Sequence, residues 1–503
     1  MYFNIQIKII FMKKIIFWID GNLSTFCIAK KIKDDIGSEI HGIFNITNKP
    51  KKFIQNQKLI DWKSVNFYHD NVSDLNTKPD LDYLRQKEQE YNLNLMMLLL
   101  NDRSLYNFND FYQFSTNQVL RLIELEIKFF EKILNEIKPD YLIMNPVFLR
   151  PGYLFYLMCK EKKINILIPV STRLHGRVMI SDDWDDLGYK NNIYDDNDNN
   201  QNLETIHKKF DLKEEVIETS ERFLQSKSLA ISALFSYIFS KNTNVNTHYT
   251  YFGRSKFNVL KNYFFDSLRT KQRKSFIDKN FSHTIENDTK FVYFPLHIEQ
   301  EQVILIHAPY HTNQLEIIRH VAKSLPINYK LVIKEHPMMY TRSWRNIDDY
   351  KEILKLPNTV LIHPSADSTE ILKNCDLTIS IKSSTSFEAG YYNKPAIVFS
   401  KTNWSMLPHI SIAKSFSDLP YLIQNSLNKK VSQNEFSKYI KYLEKNSFEF
   451  NADKFSQDFS DFFNFGGYLV DVDITEEKMM EFYKKSHDQI SILAEKFEQN
   501  IVV

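Results

Sequence analysis

KLVIKEHP, residues 330–337, is the stretch that decides the fold of this chain. Its first half is an aliphatic run of the length of a buried strand, and its second half turns polar and ends on Pro337. In a doubly wound α/β domain the ligand lies at the carboxyl ends of the strands. The stretch therefore predicts a parallel strand that presents His336 at the ligand-binding edge of a sheet.

The alternation of strand and helix continues on both sides of this stretch. The predicted strands are 291–294, 330–333, 359–362, 377–381 and 396–399, and the predicted helices are 313–325, 348–354, 368–374 and 386–392. Strands and helices that alternate at these lengths build a parallel sheet covered by helices on both faces.

The first 180 residues repeat the pattern less clearly. Strands are predicted at 13–19, 39–44, 141–144 and 165–168, and a helix at 115–138. The predicted fold class is therefore α/β, with two Rossmann-like doubly wound domains. We expect these domains at 12–185 and 290–430, a polar loop and helical basic insertion at 186–289, and a helical C-terminal tail at 431–503.

Glycine is the most informative residue count. The chain has 10 glycines in 503 residues and no G-x-G, which excludes the dinucleotide-binding fingerprint, the Walker A loop and the kinase glycine loop. The motifs H-E-x-x-H and G-x-S-x-G are absent too. The formal charge of +2 gives no attraction of the whole protein to nucleic acid, so no nucleic-acid partner is expected.

Compartment and processing are predicted from the cysteines and the N-terminus. Three widely spaced cysteines form neither a disulfide framework nor a zinc knuckle, which fits a reducing cytoplasm. Lysines interrupt the apolar N-terminus, so neither a signal peptide nor a spanning helix is expected, and Met12 resembles an alternative start.

Two polar motifs follow predicted strands of the second domain. In the segment 334–337, an imidazole at a strand exit can donate a hydrogen bond or a proton to a phosphate, although a loop histidine beside a structural proline explains it too. In the segment 383–388, Thr385 and Glu388 have the spacing of a capping box, and the hydroxyls form an anion site without glycine. Helix capping alone is the alternative.

Together these motifs resemble the capsule polysaccharide biosynthesis glycosyltransferases, which include bacterial Kdo transferases and, more distantly, His-Pro-motif sialyltransferases. The resemblance spans about residues 291–400. Its landmarks in chain order are Tyr293 to His297 with Glu299 and Glu301, Leu325-Pro326, Lys334 to Pro337, Arg342, Pro357-Asn358, Phe387-Glu388-Ala389-Gly390 and Lys394-Pro395. The sequence departs from the family at 382–385, where a small glycine-containing turn is expected.

The resemblance implies a GT-B fold with a nucleotide-sugar domain at 290–430 and an acceptor domain at 12–185. It implies His336 as a catalytic residue, a donor that is often CMP-linked, and catalysis without a bound metal or other cofactor. The donor-binding residues it implies are Lys334, Pro337, Arg342, Ser383, Ser384, Thr385, Ser386 and Glu388.

The first domain offers further candidates at strand exits. Asp20 is a candidate base for an acceptor hydroxyl, although a helix N-cap explains it equally well. The candidate acceptor-binding residues are Asp102, Arg103, Arg173, His175 and Arg177. Arginine binds carboxylates in a bidentate manner, and a basic loop that balances the neighbouring acidic run is the alternative.

Two other segments have a strong charge bias. Residues 181–200 contain seven Asp, which indicates a loop, and metal binding there is the weaker interpretation. Residues 241–274 contain eight Lys and Arg against the single acid Asp266, interleaved with aromatics. They predict either a solvated helical insertion or a contact with an anionic glycan or with the inner face of the membrane, where the protein would be peripheral. Metal binding is not expected at three further pairs of residues, which are Asp80/Asp82, Asp471/Asp473 and His307/His311.

The leading functional hypothesis is a cytoplasmic glycosyltransferase that moves a sugar, such as an acidic sugar from a CMP donor, onto a surface or lipid-linked glycan. The alternatives are a teichoic-acid-type polyol-phosphate transferase that uses a CDP-alcohol, a nucleotide-sugar 2-epimerase, and a non-catalytic glycan-binding assembly subunit.

Overall fold

The computed structural model describes residues 13–106, 108–146, 149–189, 227–241, 248–431 and 433–502. The strands are β1 (Lys14–Ile19), β2 (Glu39–Phe44), β3 (Ser64–Phe67), β4 (Tyr141–Ile143), β5 (Asn165–Ser171), β6 (Arg177–Ser181), β7 (Phe291–Pro295), β8 (Lys330–Lys334), β9 (Thr359–Ile362), β10 (Leu377–Ser380), β11 (Ala396–Val398), β12 (Ile410–Ile412) and β13 (Phe448–Glu449). They form two sheets, each at the centre of one lobe.

Helices cover both sheets. They are α1 (Ser24–Ile36), α2 (Asn48–Asn56), α3 (Tyr68–Asn71), α4 (Leu81–Glu90), α5 (Leu95–Leu100), α6 (Thr116–Ile137), α7 (Arg150–Glu161), α8 (Lys227–Phe239), α9 (Lys256–Asn280), α10 (Gln302–Leu305), α11 (Gln314–Ser324), α12 (Ile347–Leu354), α13 (Ser368–Asn374), α14 (Thr385–Glu388), α15 (Leu419–Leu427), α16 (Gln433–Asn446), α17 (Ala452–Phe463), α18 (Glu476–Lys485) and α19 (His487–Val502). Within the described ranges, no helix is both long enough and apolar enough to cross a bilayer.

The N-terminal sheet has the order β13-β6-β5-β4-β1-β2-β3. Strands β5, β4, β1, β2 and β3 are parallel, while β6 pairs antiparallel with β5 and β13 antiparallel with β6. The central strand β1 is buried from Ile15 to Ile19, as its continuous apolar sequence requires when helices cover both faces.

The C-terminal sheet is parallel throughout, in the order β12-β11-β10-β7-β8-β9. This is the doubly wound order, with the change of direction between β7 and β10. Both sheets therefore confirm the predicted fold class of two Rossmann-like domains. Strands β7 and β8 lie on one side of this change of direction, and β10 and β11 lie on the other. Residues that follow these four strands form much of the site described below.

The C-terminal segment returns to the first lobe. Phe459, Ile490 and Phe497 are buried in one cluster with Ile15 and Phe17 of β1, and β13 extends the N-terminal sheet. Of the residues predicted as a separate helical tail, those from β13 onward thus complete the core of the N-terminal lobe, whereas Phe436 of α16 packs against Phe387 and Tyr391 of the C-terminal lobe. The end of this segment is helical, as predicted for the tail, and forms two helices, α18 and α19, which are separated at Ser486.

Four strands escaped prediction, namely β3, β6 and the short strands β12 and β13. β3 reads SVNF and β6 RVMIS, so neither has the uninterrupted aliphatic run that marked the others. Of the basic insertion, residues 190–226 and 242–247 lie outside the described residues, and α8 and α9 agree with the predicted helical character. Cys27, Cys159 and Cys375 are buried free thiols, as their spacing predicted.

Candidate functional site

The two lobes enclose a cavity of about 360 Å³. Its wall includes Arg173 and Trp184 from the N-terminal lobe, and His307, Lys382 and Trp404 from the C-terminal lobe. Arg173 follows β5, Lys382 follows β10 and Trp404 follows β11, so strand exits of both sheets meet there. A cleft between two doubly wound domains is the place where such folds bind ligands.

Lys382 is the cation at the exit of β10. Its Nζ lies 2.5 Å from Oδ1 of Asp185 in the opposite lobe and donates to the carbonyl of Lys401 at 2.6 Å. Burial lowers the pKa of Lys382 and raises the pKa of Asp185, because both charged forms are poorly solvated there. The pair therefore spans the cleft at an energetic cost that an incoming anion can relieve.

His336 lies in the loop that follows β8. Its Nδ1 accepts a hydrogen bond from the Met338 backbone N–H at 3.2 Å, so the proton of the neutral ring is on Nε2. Burial lowers the pKa of His336 to about 4, and the nearby Lys334 acts in the same direction. At neutral pH the imidazole is therefore an uncharged donor. His336 is not among the residues that line the cavity.

His297 follows the neighbouring strand β7. Its Nε2 accepts a hydrogen bond from the Lys382 backbone N–H at 3.3 Å, and burial lowers its pKa to about 3. The repulsion between His297 and His336 contributes to that shift, which places the two rings close together. Hence the exits of β7, β8 and β10 converge, as the doubly wound topology predicted.

A buried ionic network supports the His336 loop. Arg345 donates to Glu335 at 3.0 Å and also pairs with Glu299, while the Tyr350 hydroxyl donates to Glu335 at 2.8 Å. Burial raises the pKa of Glu299 and the charge of Arg345 lowers it. The effect of burial is the larger, so the pKa of Glu299 is raised. The acids at 299 and 335 thus hold the loop in place.

The serine-rich turn after β10 is arranged differently from the prediction. Ser383, not Thr385, supplies the local acceptor: its Oγ accepts from the Thr385 N–H at 3.2 Å and donates to the Thr385 hydroxyl at 3.0 Å. The residue before α14 is Ser384, and its side chain makes no cap hydrogen bond, so the predicted capping box between Thr385 and Glu388 is wrong.

Ser386 is a packing residue. It is fully buried, its Oγ donates to the Ser383 carbonyl at 2.8 Å, and it accepts from Trp404 Nε1 at 2.9 Å. The Ser386 hydroxyl therefore uses both its donor and its acceptor capacity inside the protein. This is a correction to the predicted role of Ser386 in donor binding.

Glu388 is half-buried, and it lies close enough to Arg173 to favour the charged form of that arginine.

Arg173 extends from the hairpin between β5 and β6 towards the C-terminal lobe. Its guanidinium carbon lies 5.5 Å from the centroid of the Trp404 ring, and its buried Nε has no hydrogen-bond partner among the described residues. Burial lowers the pKa of Arg173, and Glu388 and Asp453 oppose that shift. Arg173 therefore offers a donor that is free for an anionic ligand.

Arg177 has a structural function. Its Nε donates to the Ser447 hydroxyl at 2.8 Å, its Nη2 donates to the carbonyls of Ser447 and Glu444 at 2.7 and 3.1 Å, and its Nη1 lies 3.3 Å from Glu449. These bonds fix the returning C-terminal segment on the N-terminal lobe. Arg177 touches the cavity, but its nitrogens are committed, which corrects its predicted role in acceptor binding.

Asp102 and Arg103 lie outside the cavity. Asp102 is buried and accepts from Arg150 Nε at 2.5 Å, and Arg150 also pairs with the buried Glu126. Arg103 donates to the Gln300 carbonyl at 3.4 Å and so joins the two lobes. The structure thus corrects the predicted acceptor role of Asp102, whose carboxylate neutralises Arg150.

The remaining predicted residues are dispersed. His175 is half-buried in the hairpin that carries Arg173, Lys334 is buried, and Pro337 is exposed beside His336. The side chain of Arg342 lies outside the described residues.

Asp20, at the end of β1, is apart from the cavity-lining residues. Its Oδ1 accepts from Trp18 Nε1 at 3.1 Å and from Asn45 Nδ2 at 2.8 Å. Burial raises its pKa, although both hydrogen bonds oppose that shift. A carboxylate with a raised pKa suits a general base.

Among the described residues, no group of three or more His, Cys, Asp and Glu could hold a metal ion.

Sequence reasoning missed several cleft residues: Lys382, Asp185, Trp184, His307 and Trp404. Lys382 had a signal, because it directly follows a predicted strand and stands in the segment that departs from the family. Trp184 and His307 had none. Their rings meet edge to face at 4.7 Å across the lobes, and only the folding of both domains brings them together.

Comparison with known proteins gives a family match over part of the chain. Residues 194–410 match the model described as capsule polysaccharide biosynthesis protein. The predicted resemblance is thereby confirmed for this part of the chain, which is less than half of its length and includes the His336 loop and the serine-rich turn. No curated protein matches the chain.

Several solved structures match the chain at low sequence identity and low TM-score. A β-Kdo 2,7-transferase, KpsC of Thermosulfurimonas dismutans, has 13% identity and a TM-score of 0.30 and covers 62% of this chain and 79% of its own. The UDP-GlcNAc 2-epimerase of Methanocaldococcus jannaschii has 13% identity and a TM-score of 0.26 and covers 86% of this chain and 99% of its own. Likenesses at these TM-scores say nothing about substrate or activity.

Proposed function

We propose that this chain is a glycosyltransferase of capsule or surface polysaccharide synthesis, which transfers a sugar from a nucleotide donor to a glycan or lipid-linked glycan acceptor. The observation that carries the proposal is the cavity between the lobes, to which each lobe contributes a cation, Arg173 from one and Lys382 from the other. The family match to capsule polysaccharide biosynthesis proteins supports it.

The donor phosphate is proposed to bind at the exits of β7, β8 and β10. Lys382 supplies the positive charge there, and the neutral His336 supplies a hydrogen bond through Nε2. Preorganised donors of this kind stabilise a departing phosphate without a metal ion. Glu388 and the hydroxyls of Ser383 and Thr385 remain candidates for the ribose and the phosphate.

The donor sugar is proposed to be acidic, and its nucleotide CMP. Arg173 supports this choice because its guanidinium faces the cavity with an uncommitted Nε, and arginine binds carboxylates in a bidentate manner. Trp404 and Trp184 give the same cavity flat apolar walls, which suit the faces of sugar rings and bases.

In the transfer step, the acceptor hydroxyl oxygen bonds to the anomeric carbon of the sugar. The bond from that carbon to the donor phosphate oxygen breaks, and the nucleotide leaves with the electron pair. The hydroxyl proton goes to a base, for which the proposed candidate is Asp20, because it follows β1 at the same edge of the N-terminal sheet as Arg173 and burial raises its pKa. A cytoplasmic location fits the proposal, since nucleotide sugars and reduced thiols belong to that compartment.

A thermal-shift screen with CMP, CDP, UDP and GDP tests the proposal. A nucleotide at 100 times its dissociation constant stabilises the protein by about 2.7 kcal/mol, which gives a clear rise in Tm. Incubation with the matching nucleotide sugar and a glycan acceptor should then release the nucleotide. If none of the four nucleotides raises Tm, the glycosyltransferase proposal is wrong.

The same assay separates the alternatives. Transfer of polyol phosphate from a CDP-alcohol to the acceptor, with release of CMP, would identify a polyol-phosphate transferase. A changed sugar without acceptor would identify a 2-epimerase. Tight nucleotide binding without turnover would identify an assembly subunit.

A further inference from the structure

Helix α8 and the first half of helix α9 form an exposed apolar surface, here called the α8–α9 surface. Residues 228–240, which contain most of α8, include no charged side chain. Phe235 and Phe239 are 58% and 79% exposed, and Leu229, Ile231, Leu234 and Ile238 are exposed as well. A soluble protein does not normally present so many large apolar groups in one short helix unless they meet a partner.

Helix α9 continues this surface. Phe257, Phe264 and Leu268 have the i, i+7, i+11 spacing of one helix face, and they are 74%, 60% and 47% exposed. Tyr263 and Phe265 are exposed beside them. Ile277, in the second half, is the buried residue of this helix, so the first half lies at the surface of the protein.

The two helices meet at one corner. Lys256, the first residue of α9, donates to the carbonyls of Ile238 and Ser240 at 2.5 and 2.6 Å. These bonds satisfy acceptors at the C-terminus of α8 and bring its exposed end next to Phe257. The apolar groups of both helices therefore belong to a single surface.

The charge around the surface selects the partner. Residues 241–274 hold eight Lys and Arg and one acid. Arg273 is committed, because it donates to the Ser343 and Trp344 carbonyls at 2.9 and 3.0 Å and so anchors α9 to the C-terminal lobe. Lys261, Arg269, Lys271 and Lys274 are exposed. Arg269 is partly neutralised by Asp266 at 3.1 Å, and Lys274 lies 3.9 Å from Asp278. An apolar face edged by cations complements an anionic lipid surface.

We propose that the α8–α9 surface docks the protein on an anionic membrane. The apolar side chains of α8 and α9 insert between lipid headgroups, while Lys261, Arg269, Lys271 and Lys274 contact the headgroup charges. Helix α8 has 13 residues and is about 20 Å long, which is too short to span the bilayer, so it lies in the interface. This inference does not depend on the proposed transfer reaction.

Vesicle co-sedimentation of the full chain tests the proposal. The probes are vesicles of phosphatidylcholine alone and of phosphatidylcholine with about 30% phosphatidylglycerol. We expect binding to the anionic vesicles at least tenfold tighter than to neutral ones, and weaker binding as salt rises from about 50 to 500 mM. The triple variant Phe235→Ser/Phe239→Ser/Phe264→Ser should lose at least 90% of the bound fraction.

A charge variant and a matched control complete the design. Lys261→Glu/Lys271→Glu/Lys274→Glu should abolish the preference for anionic vesicles while the Tm of the protein is unchanged. The control, Tyr421→Ser/Ile327→Asn, removes two exposed apolar groups outside the surface and should bind vesicles as the parent does.

Two results would overturn the proposal. The first is parental vesicle binding by the folded triple variant. The second is a lack of binding to anionic vesicles together with a dimer, seen by sedimentation velocity, that the triple variant dissociates. In that case a second copy of the chain covers the surface.

Discussion

Lys382 Nζ and Asp185 Oδ1 lie 2.5 Å apart and belong to opposite lobes. Burial opposes the charged form of both partners, so the pair is less favourable than its distance suggests. A donor phosphate that enters the cleft can take over Lys382 and leave the carboxylate of Asp185 to be rehydrated or protonated.

Replacement of Asp185 and replacement of Lys382 should therefore have opposite effects on nucleotide binding. Asp185→Asn should tighten nucleotide binding several-fold, because Lys382 no longer has to leave an ion pair. Lys382→Gln should weaken binding by about 10- to 100-fold, the equivalent of one charged hydrogen bond. Isothermal titration with the best nucleotide measures both, and equal effects of the two variants would exclude Lys382 from the phosphate site.

The two arginines of the β5–β6 hairpin should separate binding from stability. Arg173→Gln should weaken donor binding by about 10- to 100-fold with little change in Tm, since its Nε has no protein partner. Arg177→Gln should lower Tm and leave binding close to parental, because its bonds hold the C-terminal segment. A loss of stability in Arg173→Gln without a loss of affinity would contradict this division.

His336 combines a local structural bond with a proposed catalytic one. His336→Asn keeps an acceptor for the Met338 N–H and removes the Nε2 donor, so transfer should fall by about 10²- to 10³-fold while Tm changes little. His336→Ala should lose both the rate and some stability. Steady-state transfer rates at a saturating donor concentration test this prediction. Parental activity in His336→Asn would show that His336 has no catalytic role.

The ionic network under the His336 loop predicts a large effect on stability. Arg345→Met leaves the buried Glu335 without its cation and should cost about 3–5 kcal/mol. Tyr350→Phe removes one hydrogen bond to the same carboxylate and should cost about 1–3 kcal/mol. Arg319→Met, which breaks an exposed pair with Glu352, should change stability far less and serves as the control. Urea unfolding measures all three.

Buried histidines should make the fold acid-sensitive. Burial lowers the pKa of His409 to about 4, below the ordinary value near 6.5 that the unfolded chain has. The unfolded state therefore binds the proton first as the pH falls, so the stability from the neutral ring is complete above pH 6.5 and is lost towards pH 4. Free energies of unfolding from pH 7.5 to 4.5 should decline less steeply in His409→Gln, and an unchanged slope would mean that the ring is not kept neutral.

The sequence by itself determined the two sheets and most of their strands. The run IIFWI in β1 is apolar throughout and the strands from β7 to β11 are predominantly apolar, as expected of strands that are buried on both faces. It also located the exits that carry His336 and Ser383, because a break from apolar to polar residues marks the end of a buried strand.

Only the tertiary structure decided which polar groups face the cleft. Ser386 and Asp102 have the residue types of ligand-binding groups, yet Trp404 and Arg150 consume their hydrogen bonds inside the protein. Lys382 meets Asp185 across 197 positions of the sequence. Local pattern reports how far a side chain is buried, whereas its hydrogen-bond partners depend on contacts between distant segments that form when the lobes pack.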